Sequence, residues 1–266
     1  METLLQKAHD LGNLAIAIEE EGELITQKFW DDDVPRDVYS VSKSLTSIAV
    51  GFAIEEGHLS LEDKLEDFFK TDLQGIRLKH LLTMTIGSTD ARMMVEQRKT
   101  WSEDFDWLEA ALSYPQGFKP GTHFCYSNDA PYLAGLMVQE RTQQDLVEYL
   151  TPRLWKPLDI KPPEWLRDDK GRVFGSSGLQ LRLGDMLKIG HTLLKDGDGI
   201  IPKKWVQEAT KQHVITDDGR GYGYLFWRGA HDSFRADGKL GQFIIQYPHK
   251  QAVVVTQSNA EDADQL

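Results

Sequence analysis

Strand-like sequence stands at the two ends of this chain and is sparse between them, and that arrangement limits the fold more than any other feature. LAIAIEE (14–20) and LITQKF (24–29) flank Glu21-Gly22, a hairpin pattern. YGYLFW (222–227), SFRA (233–236), QFIIQY (242–247) and AVVVTQ (251–256) follow one another at the far end, separated by Gly- and Pro-marked turns. The intervening sequence is helical or loop-rich. Helices are predicted near 3–11, 62–69, 78–83, 104–112, 129–141, 144–154, 183–195 and 203–210. Another starts at Ser40, where Leu45, Ile48, Ala49, Phe52 and Ala53 recur at helical spacing until Gly57. Strands at both ends with helices between them predict one α+β unit whose terminal strands share a mostly antiparallel sheet. The expected organisation is a single domain over 1–266. Its sheet part covers about 1–60 and 211–266, and a mainly helical region covers about 61–210. No internal repeat or low-complexity linker divides it.

Composition excludes several function classes. Acidic residues exceed basic ones by 42 to 30, a formal charge of -12, and no basic stripe offsets a field that repels phosphate backbones. Cys125 is the only cysteine, so an internal disulfide and a thiolate zinc site are both out of reach. The histidines show neither H-x-x-x-H nor H-E-x-x-H, so no metal centre is expected. The segment METLLQKAHDLGN lacks the basic start and apolar core of a secretory signal, and the apolar run around 48–54 is too short to span a bilayer. The expectation is a cytoplasmic protein, unless a leader has been removed, acting on a small molecule. Oligomeric state stays open.

The chemistry is concentrated in two short motifs. Ser40-Val41-Ser42-Lys43 is S-x-x-K, whose spacing puts a hydroxyl and an amine on one helix face, a turn apart. A serine at a helix N-terminus lies where free N–H groups stabilise negative charge. The same field, with desolvation, draws the lysine toward its neutral, proton-accepting form. The bland alternative makes Ser40 an ordinary N-cap and Lys43 a solvated cation. In Tyr126-Ser127-Asn128, after Pro120-Gly121, residues two apart in extended chain project together, offering a phenol for proton relay and an amide for a substrate carbonyl. Their alternative is a buried tyrosine and a turn asparagine. Gly175-Ser176-Ser177-Gly178 is not G-x-S-x-G and is no nucleophile elbow. Gly219-Arg220-Gly221-Tyr222-Gly223 lacks dinucleotide-binding spacing. His123, His191 and the tryptophans read as structural, and Cys125 as a small buried hydrophobe.

The Ser40–Lys43 motif with SLTSIAVGFAIEEGHLSLED, then LKHLLTMTIG (78–87), PGTHFCYSN (120–128) and GLQLRLGDMLKIG (178–190), resembles the serine β-lactamase-related family along nearly the whole chain and in order. That family includes class C β-lactamases, penicillin-binding D-alanyl-D-alanine peptidases, and esterases and amide hydrolases. The resemblance implies an antiparallel sheet flanked by helices with a helical subdomain, and a site between them that needs no cofactor. By it, Ser40 is the nucleophile, Lys43 its activating partner, Tyr126 a sharer in proton transfer and Asn128 a holder of the substrate amide. The family's third motif, Lys-Thr-Gly on a strand end, corresponds to Ala236-Asp237-Gly238, with Lys239-Leu240-Gly241 as the alternative frame. The first frame makes the Ser40 and Lys239 N–H groups the oxyanion hole. It also lacks the lysine and threonine, which points to neutral substrates. The chain reaches EDADQL (261–266) soon after its last strand, where relatives carry a further helix, so a thinly covered sheet is expected. A catalytically idle binding or scaffolding member is the rival from another class.

Overall fold

The computed structural model describes residues 1–261; the segment EDADQL lies outside the described residues apart from Glu261. Strands β1 (Asn13–Glu20), β2 (Glu23–Phe29), β3 (Arg36–Asp37), β4 (Gln180–Leu181), β5 (Val214–Ile215), β6 (Gly221–Tyr222), β7 (Trp227–Arg228), β8 (Phe234–Gly238), β9 (Gln242–Tyr247) and β10 (Ala252–Ser258) form two sheets. The larger runs β2-β1-β10-β9-β8-β7-β6-β5, and every neighbouring pair is antiparallel; β3 and β4 pair separately. The two ends of the chain therefore meet at β1 and β10, with Ile18 opposite Val254. The helices are α1 (Glu2–Asp10), α2 (Val41–Glu55), α3 (Leu78–Leu82), α4 (Val95–Arg98), α5 (Trp107–Leu112), α6 (Asp129–Thr142), α7 (Leu146–Leu150), α8 (Leu183–Leu194) and α9 (Lys203–Ala209). The fold is α+β, an antiparallel sheet flanked by helices with a helical region beside it.

Helix α2 is the pivot. Every residue from Val41 to Ala53 is buried, as expected of a helix that is apolar on most sides and runs through a core. It meets α6, α7 and α9 and also strands β8 and β9. Gly51 permits the approach of α9, because a Cβ there would lie 2.2 Å from the Trp205 ring. Helix α8 covers β1, β10 and β9, and at Gly190 a Cβ would stand 2.6 Å from Val253. The other face is thinner. Ile18, Val254 and Ile245 share it through the strand register and are only half-buried, and Leu24 and Ile25 on edge strand β2 are exposed.

Three expected elements differ. The predicted helix at 62–69 is a 3-10 turn, Leu65–Asp67, because Leu65 N–H and Leu78 N–H are drawn into bonds with Ile76 and Asp63 carbonyls. The 144–154 helix stops at Leu150 and continues as a wider π turn, Thr151–Trp155, around Pro152. The single strand expected at 222–227 is split. Tyr224 N–H bonds to the Ala209 carbonyl and Leu225 N–H to the Leu82 carbonyl, and Leu225 adopts φ 63°, so the apolar run turns back instead of extending.

Candidate active site

Ser40 stands at the N-cap of α2, but its side chain makes no capping bond. The chain enters the helix through Tyr39, whose φ of 46° is left-handed, a conformation held where Asp37 accepts the Tyr39 N–H at 2.7 Å. Lys43, one turn on, is 1% exposed. Its Nζ lies 2.8 Å from Ser40 Oγ, 2.6 Å from Asn128 Oδ1 and 2.8 Å from the Ser176 carbonyl. The solvated-lysine alternative is thus excluded.

Two of these three partners can only accept. A neutral amine has two hydrogens and one lone pair, so donating to Asn128 and Ser176 leaves the lone pair facing Ser40 Oγ. After taking a proton the ammonium finds an acceptor for each hydrogen. Burial, then the nearby Arg98 cation, holds the Lys43 pKa well below its ordinary value, with Asp237 opposing. Lys43 is thereby disposed to be an acceptor of the serine proton.

Tyr126 lies beside Ser40, and its ring centroid is 5.1 Å from Lys43 Nζ. Burial raises its pKa, the nearby Ser40 hydroxyl partly offsets this, and Asp237 raises it further, so the phenol keeps its proton. Trp227 stacks on it at 5.5 Å and Tyr222 meets it edge-on at 6.4 Å, forming one wall. Asn128 is the N-cap of α6, with Nδ2 donating to the Met93 carbonyl at 3.0 Å. The motif is anchored from behind: Ser127 Oγ bonds to buried Asp129, and Arg92 Nε is 3.3 Å from the same carboxylate.

Ala236, Asp237 and Gly238 lie on β8, while Lys239 is in the turn with Leu240 and Gly241. Gly238 explains how the strand comes close to Ser40. A Cβ there would sit 2.3 Å from the Val38 carbonyl, two residues before Ser40, so only glycine allows this approach. Ala236 is buried. Asp237 pairs with Arg235 Nε at 2.9 Å and is close enough to act on Lys43, Tyr126 and Tyr222. Exposed Lys239 pairs with Glu96 at 3.6 Å, tying the β8–β9 turn to α4. Ser40, Lys43, Tyr126 and Asn128 are directly linked, Gly238 borders them, and Ala236 and Lys239 make no polar contact with the four. Among the described residues, no group of three or more His, Cys, Asp or Glu could hold a metal ion, and no helix is long and apolar enough to cross a membrane.

Sequence reasoning missed Ser176 and Arg98. The Gly175–Gly178 run was weighed only as a nucleophile motif, whereas its contribution is a backbone carbonyl, which has no side-chain signature. The loop is fixed by Thr46 Oγ1 donating to the Gly175 carbonyl and Ser176 Oγ to the Asn128 carbonyl. Arg98 carried no motif at all. His123 packs at a tilt against Phe118, and His191 pairs with Glu19.

A buried central helix headed by S-x-x-K, an antiparallel sheet and a tyrosine–asparagine motif beside that helix define a β-lactamase/transpeptidase type of fold. The Beta-lactamase family model matches residues 1–265, and the chain belongs to that family. Protein flp of Staphylococcus aureus (strain MW2) is 28% identical over 180 residues, 59% of this chain and 35% of that protein's length. The penicillin binding protein from Bacillus halodurans superposes with a TM-score of 0.81 at 18% identity, covering 98% of this chain and 97% of that one. EstCE1, a hydrolase with promiscuous acyltransferase activity, does so at 0.78 and 18% identity, covering 97% and 92%. At that identity the two structures speak for the fold alone.

Proposed function

We propose that this chain is a serine hydrolase that works through an acyl-enzyme on Ser40, with a small neutral ester or amide as substrate. The observation that carries the reading is the buried Lys43 amine, whose two acceptor-only neighbours leave its lone pair for Ser40 Oγ. Lys43 takes the serine proton as Oγ bonds to the substrate carbonyl carbon. The oxyanion is held by the Ser40 and Lys239 N–H groups, neither of which donates to another described residue. The proton then passes through the Tyr126 phenol to the leaving group as its bond to carbon breaks. Water, deprotonated along the same path, releases the acyl group and restores Ser40. An idle binding module has no use for a desolvated lysine on a serine.

Substrate charge is read from β8. Where relatives place lysine and threonine, Ala236 offers neither charge nor hydroxyl, and Asp237 adds a carboxylate. Two like charges about 4 Å apart cost about 1 kcal/mol in water and about 4 kcal/mol near a protein surface. Arg235 at 2.9 Å offsets much of that, so β8 itself presents a paired and nearly neutral edge to a substrate carboxylate. Neutral p-nitrophenyl esters should therefore be hydrolysed with higher kcat/KM than a cephalosporin or a D-alanyl-D-alanine peptide. A cephalosporin turned over more efficiently than every neutral ester would favour β-lactamase or carboxypeptidase activity, with Lys239 as the carboxylate-binding lysine.

A further inference from the structure

The segment carrying α4 lies against the site and contributes one cation that the mechanism above does not use. Arg98 Nη1 donates to the Met93 carbonyl at 2.6 Å, the same oxygen that accepts Asn128 Nδ2 at 3.0 Å. The guanidinium lies 4.5 Å from the Phe174 ring centroid and 5.9 Å from that of Trp107, and these two rings meet edge to face at 5.1 Å. Met93 is 2% exposed and has φ 53°, a backbone conformation that ordinary residues rarely adopt, and its carbonyl receives both bonds.

We propose that Arg98 is a positioning residue for the Ser40–Lys43 pair: through the shared Met93 carbonyl it locks the Asn128 amide with its oxygen toward Lys43. The orientation matters because an amide has two unlike ends. With Nδ2 committed to Met93, Oδ1 faces Lys43 Nζ at 2.6 Å and takes one of its hydrogens. A flipped amide would point N–H at the amine, occupy its lone pair, and leave nothing to receive the serine proton. Both donors fit on one carbonyl, which has two lone pairs, so the charge-assisted Arg98 bond holds that oxygen in place for the amide to reach.

Arg98 also acts through its charge. The charged and titratable groups facing Lys43 are Arg98 from α4, Asp237 from β8, and Tyr126, which stays neutral; Asp37 from β3 faces Arg98. Arg98 disfavours the lysine cation and Asp237 favours it. Removing the Arg98 charge therefore raises the pH at which Lys43 loses its proton.

The inference rests on the Ser40 reading, and one experiment separates the two. The rate of Ser40 phosphonylation by a fluorophosphonate is measured against pH for wild type, Arg98→Met and Arg98→Lys. Arg98→Met should move the acid-limb midpoint up by roughly one pH unit, as expected for loss of a neighbouring like charge, and lower the plateau at least about tenfold. Arg98→Lys keeps the cation but loses the planar fork, so it should hold the midpoint and lower the plateau several-fold. A plateau reduced in Arg98→Met with the midpoint unmoved marks a merely structural residue and overturns the inference. If Arg98→Met does not fold, an Arg98→Lys plateau equal to wild type overturns it. No adduct on wild-type Ser40 overturns the site reading itself, and this inference with it.

Discussion

Replacing Lys43 by Met separates what the lysine does for catalysis from what it does for stability. Its folded pKa is depressed well below the ordinary value of 10.5, chiefly by burial. Between the folded value and 10.5 the unfolded chain binds one proton more than the native protein. Stability then rises with pH across that window, at up to about 1.4 kcal/mol per pH unit, and is flat below the folded value, where both states hold the proton. Methionine fills a similar volume without the titration. It also strands the Asn128 Oδ1 and Ser176 carbonyl acceptors, at about 1–3 kcal/mol each, but that cost does not vary with pH. The quantity to follow is therefore the difference in unfolding free energy, wild type minus Lys43→Met, from urea denaturation at several values between about pH 7 and about pH 10. It should climb with pH toward the one-proton slope. A difference that stays flat until close to 10.5 would mean that Lys43 is an ordinary ammonium in the native state, and the proton-acceptor role would be wrong.

Lys43→Ala and Tyr126→Phe should each slow Ser40 acylation by about 10²–10⁴-fold, the range for a positioned acid or base. Because both serve one proton path, the double variant should lose far less than the product of the two, and fully multiplicative losses in single-turnover kinetics would contradict that coupling. Gly238→Val should cost roughly 1–3 kcal/mol by denaturant unfolding and slow acylation, since its Cβ would sit 2.3 Å from the Val38 carbonyl; wild-type behaviour in both assays would show that β8 need not approach the nucleophile so closely.

The parts of the site that sequence made legible are those in which one side chain does one job at a fixed spacing. Ser40 and Lys43 are a helical turn apart, and Asn128 is next to the helix it caps, so local geometry carries them into place. The strands at the two ends were legible for a similar reason, since β-branched runs such as AVVVTQ have few other uses. The third motif was harder. The turn at Lys239 could be read from the sequence, but only the structure shows the Asp237 carboxylate paired with Arg235, because side-chain direction depends on register. What escaped altogether were contributions made by backbone or across distance. The Ser176 carbonyl reaches Lys43 over 133 residues of chain, and Arg98 acts through another residue's carbonyl. The split of YGYLFW belongs with these, because the carbonyls that bend it, those of Ala209 and Leu82, come from elsewhere in the fold.

The central claim is that Ser40 is a nucleophile activated by the residue one turn behind it, and intact-protein mass spectrometry with peptide mapping tests it most directly. After incubation with a fluorophosphonate, the account predicts one adduct per chain, located on Ser40, absent in Ser40→Ala and slowed in Lys43→Ala. An adduct on Ser42, Ser176 or Ser177, or none at all under conditions in which the protein is folded, would contradict it.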